Sequence, residues 1–247
     1  RAHLDHIASL GADTVYLTPF FPARSNHRYD ASTFDRVDPL LGGDAALSRL
    51  ADDLHRRGMR LMGDLTTNHC GDAHDWFQRA LADATSPEAG YFVFTRHPDD
   101  YVCWFGHRSL PKFDHRDAGL RAALYEGPTS TVARWLGPGG LDGWRIDVAN
   151  MTGRLGATDL NHEVATAIRA TMAAADPESL LLAEHSHDAS HDLAGDGWHG
   201  VMNYAGFARP LWQWLKPREE IRFEPGPFTP LPSFPGTAMV DTMRAFS

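Results

Sequence analysis

Cysteine is scarce. Cys70 and Cys103 are the only two in 247 residues. Two thiols cannot build a disulfide scaffold, and they read better as free thiols than as one bridge. No apolar run approaches the ~20 residues that cross a membrane. Basic residues are outnumbered, 23 Lys and Arg against 32 Asp and Glu, and the net charge is −9. They are also scattered, which argues against a nucleic-acid partner. No glycine-rich phosphate loop follows the first strand, which disfavours a dinucleotide-binding unit.

Aromatic rings and imidazoles are plentiful, with seven Trp and fourteen His. Such rings suit sugar platforms, although composition alone is weak support. The length suits one α/β domain, or one with a small insertion. The chain opens at Arg1 inside a helical pattern and closes at Ser247 after another. It therefore reads as a piece of a longer protein. A cytoplasmic location is expected, with secretion left open because a leader could precede Arg1.

The order of elements is regular. Leu4, Ile7 and Leu10 share a helical face that stops at Gly11. Thr14 to Thr18 reads as a strand, followed by a polar loop over 24–30. Asp44 is placed to cap a helix carrying Leu47, Leu50 and Leu54. Residues 59–65 form the next strand. From Cys70 to about Pro111 aromatics mix with Pro, Gly, His and Asp, and only 75–83 suggests a short helix. This is far beyond the ~2–6 residues of an ordinary barrel loop, and predicts a small inserted subdomain. A helix is expected over 117–135, a strand over 141–148, and a helix from Asp159 to Pro177. Strands at 180–184 and 201–204, a helix over 207–216, a Pro-rich loop over 217–235 and a helix over 236–247 complete the reading.

Alternating helices and strands give a parallel sheet. A closed barrel and a doubly wound sheet both fit that pattern. Polar residues recur at the C-terminal ends of strands, at Asp64, Asp147 and Glu184. That is where a (β/α)8 barrel keeps its active site. Five strands are legible, so the first and the last two of a closed barrel are expected outside 1–247.

The run Gly143-Trp144-Arg145-Ile146-Asp147-Val148-Ala149-Asn150 places an arginine and an aspartate two apart on a strand, hence on one face. A buried charge is costly unless paired, so this is either a structural ion pair or a held carboxylate. The run resembles the second conserved region of the α-amylase family, glycoside hydrolase family 13. Asp64-Leu65-Thr66-Thr67-Asn68-His69 resembles its first region, and Leu182-Ala183-Glu184-His185 its third. Each of these is weak alone; the order and spacing of all three match the family.

Asn26 to Asp30 lies where the family places a tyrosine and an aspartate beside the sugar. Leu110-Pro111-Lys112-Phe113-Asp114 resembles its short fifth region. The Pro-Lys form is similar to neopullulanases, cyclomaltodextrinases and maltogenic amylases. That group carries a tryptophan where Ser186 stands here, so substrate preference departs from the pattern.

The resemblance implies an α/β fold, a partial TIM (β/α)8 barrel with a small inserted subdomain after the third barrel strand. Residues 1–69 and 114–247 would be barrel and 70–113 the insertion. It implies a retaining glycosidase acting on α-glucans or maltooligosaccharides, with Asp147 as nucleophile and Glu184 as general acid/base. Arg145 would hold Asp147 anionic, and Glu184, ending an apolar strand, would act as the protonated acid. Tyr29, Asp30, Asp64 and His69 would bind the sugar.

The resemblance implies that no cofactor is required. Calcium beside Asn68 is left open. The family's third carboxylate, an aspartate after a histidine on a later strand, is expected beyond Ser247. His187-Asp188 and His191-Asp192 come too early for it, so 1–247 by itself is expected to be inactive. Two rivals remain: a non-catalytic barrel module, and a zinc hydrolase using His185, His187 and His69. The zinc class wants an early His-x-His and a bridging lysine or histidine, and neither is seen.

Overall fold

The computed structural model describes residues 2–215 and 235–245. In chain order the strands are β1 (Thr14–Tyr16), β2 (Arg60–Thr66), the hairpin β3 (Phe94–Arg96) and β4 (Asp100–Tyr101), and β5 (Gly143–Asp147). Then come a second hairpin, β6 (Arg154–Leu155) and β7 (Thr158–Asp159), and last β8 (Leu180–Ala183) and β9 (Gly200–Val201). The helices are α1 (Leu4–Ser9), α2 (Gly43–His55), α3 (Asp75–Ala82), α4 (Ala118–Leu124), α5 (Thr131–Arg134), α6 (Asn161–Ala175), α7 (Arg209–Leu215) and α8 (Gly236–Ala245).

Five strands form one parallel sheet in the order β1-β2-β5-β8-β9. Each new strand is added on the same edge, with no reversal. A doubly wound sheet reverses at its switch point, whereas a barrel winds in one direction. This is a partial (β/α)8 barrel.

The central strand shows why the sheet forms here. All five residues of β5 are buried, as expected of a strand covered on both faces. Trp144 and Ile146 face the helical layer; the Trp144 indole donates to the Val132 carbonyl at 3.1 Å and stacks with Phe20 and Phe21. Arg145 and Asp147 take the opposite face. Gly143 lets β5 and β8 approach, because a Cβ there would lie 2.3 Å from the Leu180 carbonyl oxygen. Gly143→Ala must therefore push the two strands apart. We expect it to lower stability by about 1–3 kcal/mol, read as a shifted urea midpoint.

Several boundaries differ from the sequence expectation. The helix expected over 117–135 is split into α4 and α5. Gly127 adopts φ +83° and Pro128 follows it, which ends helical continuity. Asp44 does not cap α2. Gly42 does, and the Asp44 carboxylate instead accepts from the Val37 amide at 2.7 Å. Asp159 lies just before α6 and accepts from Asn161 N at 3.1 Å. The helix expected from Phe207 begins as a π-helix over Tyr204–Ala208 and continues as α7. The Pro-rich stretch up to residue 234, together with Lys216, lies outside the described residues.

Candidate active site

The sheet register assembles the site. Asp64 pairs with Arg145, and Arg145 with Leu182. One step further, Thr66 pairs with Asp147, and the β5–β8 register, at Ile146 and Ala183, continues to bring Glu184 level with Asp147. The backbone agrees, since Glu184 N donates to the Ile146 carbonyl at 2.9 Å. Residues far apart in sequence thus meet on one face at the C-terminal end of three adjacent strands.

Arg145 is the hub. Its Nη1 contacts both Asp64 oxygens, at 3.0 and 2.8 Å, and Asp147 Oδ1 at 2.9 Å. Its Nη2 lies 3.0 Å from Glu184 Oε2. Its Nε donates to the Met202 sulfur at 3.4 Å. One guanidinium, 5% exposed, therefore faces three carboxylates. Burial works against its charge, but Asp64, Asp147 and Glu184 outweigh burial and raise its pKa further.

The carboxylates respond to the same crowding. Burial pushes Asp64 up, against the pull of Arg145 and the hydrogen bonds from Tyr16 and Tyr29. Burial also pushes Asp147 well above the usual range; Arg145 opposes this, while Glu184 and Asp64 reinforce it. The expectation that Arg145 simply holds Asp147 anionic is thus incomplete. One cation faces three crowded carboxylates, of which Asp64 and Asp147 are buried and Glu184 is 24% exposed, so ionising all three together is costly.

Two donors meet on the same glutamate oxygen. Glu184 Oε2 receives Arg145 Nη2 and the Val148 amide, the latter at 2.9 Å. Val148 sits at φ +46°, ψ +40°, a conformation that a β-branched residue rarely adopts. The strain coincides with the turn that aims its N–H at Glu184.

Tyr29 and Tyr16 both donate to Asp64 Oδ2, Tyr29 at 3.0 Å. The Arg145 guanidinium lies 5.8 Å from the Tyr29 ring centre. Burial, then the Asp64 charge, pushes the Tyr29 phenol up to about 12, so it remains a donor. Asp30 does not join the carboxylate cluster. It turns back to accept from Ser25 N at 3.1 Å and from the Ser25 hydroxyl. His69 stacks on Trp104, with ring centres 6.4 Å apart. Burial, then the Lys112 charge, lowers its pKa to about 3, so the ring is neutral. Trp104, Phe105, Val148, Met151 and Glu184 line a cleft of about 480 Å3.

Calcium does not fit beside Asn68. Its amide oxygen receives the Lys112 ammonium, which also donates to the Met151 carbonyl at 3.2 Å. A divalent cation there would have to displace a buried like charge. Among the described residues no group of three or more His, Cys, Asp or Glu is placed to hold a metal ion. His185 is engaged with Asp192 at 2.8 Å, and His69 with Asn68 at 3.1 Å, so the zinc reading finds no assembled ligand set among them.

Residues 1–213 match the alpha amylase catalytic domain. The chain belongs to the α-amylase family. A cyclomaltodextrinase of Bacillus sp. is 31% identical over 227 residues, covering 82% of this chain and 36% of that protein. The intracellular maltogenic amylase of Bacillus subtilis is 30% identical over 216 residues, covering 86% of this chain and 34% of its own length. Among solved structures, the debranching enzyme of Nostoc punctiforme superposes with a TM-score of 0.82 at 28% identity, over 98% of this chain and 50% of that one. The chain spans about a third of the length of these curated relatives.

Family membership carries the resemblance read from the three conserved regions. Four participants escaped the sequence reading: Tyr16, Met202, Trp104 and Phe105. Tyr16 had a legible signal, since it stands near the end of a strand as Asp64, Asp147 and Glu184 do. Met202 had none, because a thioether facing an arginine Nε is a product of packing alone.

Proposed function

We propose that this chain is the larger part of the catalytic barrel of a retaining α-glycosidase acting on α-glucans or maltooligosaccharides. The single observation that supports this best is the register of β5 and β8, which brings Asp147 and Glu184 level on one face. In-register residues of adjacent strands start from backbones roughly 4.8 Å apart. A nucleophile and its acid in a retaining glycosidase lie about 5–5.5 Å apart, closer than an inverting pair. The names of relatives support the substrate class, including a cyclic α-maltosyl-(1→6)-maltose hydrolase from Arthrobacter globiformis (TM-score 0.80, 27% identity, 99% of this chain and 51% of that one). The intracellular maltogenic amylase supports a cytoplasmic setting. Residues 70–113 act as an inserted subdomain that supplies one wall of the cleft through Trp104 and Phe105.

The chemistry assigns each oxygen. Arg145 occupies Asp147 Oδ1, which leaves Oδ2 to attack the anomeric carbon. Glu184 Oε1 donates its proton to the departing glycosidic oxygen as that bond breaks. A glycosyl ester on Asp147 results. Glu184, now ionised, takes a proton from water, the water attacks the anomeric carbon, and the ester bond breaks to regenerate Asp147. Tyr29, Asp64, His69 and Arg145 hold the sugar and the nucleophile in place, while Asp30 braces the loop through Ser25.

The test, made in the full-length protein that carries residues 1–247, separates the two carboxylates. A good leaving group needs little protonation, so Glu184→Gln is expected to form the ester from α-glucosyl fluoride far faster than from maltotriose. Azide, which needs no base, is expected to speed the second step in Glu184→Gln and not in Asp147→Asn. Equal losses on both substrates in Glu184→Gln, with no effect of azide, would overturn the assignment.

A further inference from the structure

The buried ammonium of Lys112 has no place in the catalytic scheme above, yet it is fully engaged. It donates to Asn68 Oδ1 and to the Met151 carbonyl, and lies 5.4 Å from the centre of the Trp104 ring. Lys112 is 6% exposed and Asn68 1%. Burying a charge here is costly and calls for an account.

Hydrogen-bonding arithmetic supplies one. An ammonium has three donors and no acceptor, so Asn68 must turn its amide oxygen toward Lys112. Its NH2 then faces the other way, where His69 Nδ1 lies 3.1 Å from Asn68 Nδ2. An amide NH2 only donates, so Nδ1 must accept. A neutral imidazole that accepts at Nδ1 carries its single proton on Nε2. His69 Nε2 is buried and has no hydrogen-bond partner among the described residues.

We propose that Lys112, acting through the Asn68 amide, is a positioning residue that sets the tautomer of His69, with its single proton on the buried Nε2. The effect on turnover rests on the reading of His69 as a sugar contact. The tautomer itself does not, because it is a property of the free protein. The chain of donors and acceptors has one solution only while the ammonium is present. Without it the amide is free to rotate, and both tautomers become accessible.

The experiment reads the ring nitrogens of His69 by NMR in the full chain labelled with 15N-histidine, with His69→Gln identifying the signals. In the unaltered protein Nδ1 is expected bare and Nε2 protonated. Asn68→Asp keeps the Lys112 contact as an ion pair but offers His69 only acceptors. It is expected to place a proton on Nδ1. Lys112→Met is expected to show a fraction of Nδ1-protonated ring and a fall in kcat/KM on maltotriose of about tenfold, the scale of one lost donor.

A protonated Nδ1 in the unaltered protein would overturn the proposal. So would an unchanged Nδ1 in Asn68→Asp, or, where that variant does not fold, an unchanged ring in Lys112→Met. If the full-length protein that carries residues 1–247 shows the expected tautomer but hydrolyses no α-glucoside, the glycosidase reading fails while the tautomer assignment stands.

Discussion

In the full-length protein that carries residues 1–247, Asp147→Asn is expected to lower kcat on every α-glucoside by about 10^4-fold or more, irrespective of the leaving group. The amide is close in shape to the carboxylate and keeps an oxygen for Arg145 Nη1, so the site should stay assembled. What is lost is the nucleophile, and with it the covalent route. Groups that act as one unit show losses of this size when any one is removed. The fold is expected to hold or gain stability, because the change removes one of three anions crowded around Arg145. Measured together, initial rates and thermal melting separate the two effects. A loss below about tenfold, with the melting point unchanged, would mean that Asp147 is not the nucleophile.

Arg145→Met is expected to be the most destabilising single change in the site, by about 3–5 kcal/mol near neutral pH. The substitution leaves Asp64, Asp147 and Glu184 facing one another with their shared cation gone. The loss should depend on pH, with a definite sign. Asp64 and Asp147 are pushed up in the folded protein, chiefly by burial. A carboxyl whose folded pKa lies above its unfolded value holds its proton more tightly when folded. It costs nothing below the unfolded value and destabilises increasingly as pH rises through the folded value. Removing Arg145 raises the folded values again and extends that window upward. The deficit of Arg145→Met should therefore be small at acid pH and grow towards neutrality, read from urea midpoints between pH 4 and 8. Arg145→Lys should recover only part, because one ammonium lacks the planar fork that reaches three carboxylates. A deficit that does not vary with pH would assign the effect to packing rather than to charge.

Much of the barrel was legible without coordinates because its signals are local. Apolar runs ending in a carboxylate mark strands whose C-terminal ends face a common mouth, and Asp64, Asp147 and Glu184 stood out for that reason. Helix limits were less legible. Asp44 looked like a cap because a side-chain oxygen at a helix start is a strong local signal. The structure uses it for the Val37 amide and leaves the cap to Gly42 in a left-handed turn. Gly127-Pro128 read as the interior of a long helix, since the apolar period continues on both sides of the break.

By itself the sequence determined the winding of β and α elements and the three motif regions, and it singled out Arg145, Asp147 and Glu184 as candidates. These follow from patterns within ten or so neighbouring residues, where side-chain period and backbone preference act directly. Only the tertiary structure decided how the charges are shared. That one guanidinium serves three carboxylates depends on the register of three strands and on burial, neither of which is encoded locally. The same holds for Lys112. Its place in the chain shows a lysine after a proline; its contacts with Asn68 and the Met151 carbonyl exist because two loops, 44 and 39 residues distant, close over it. Burial there removes water as an alternative partner, so each donor must find an acceptor in the protein.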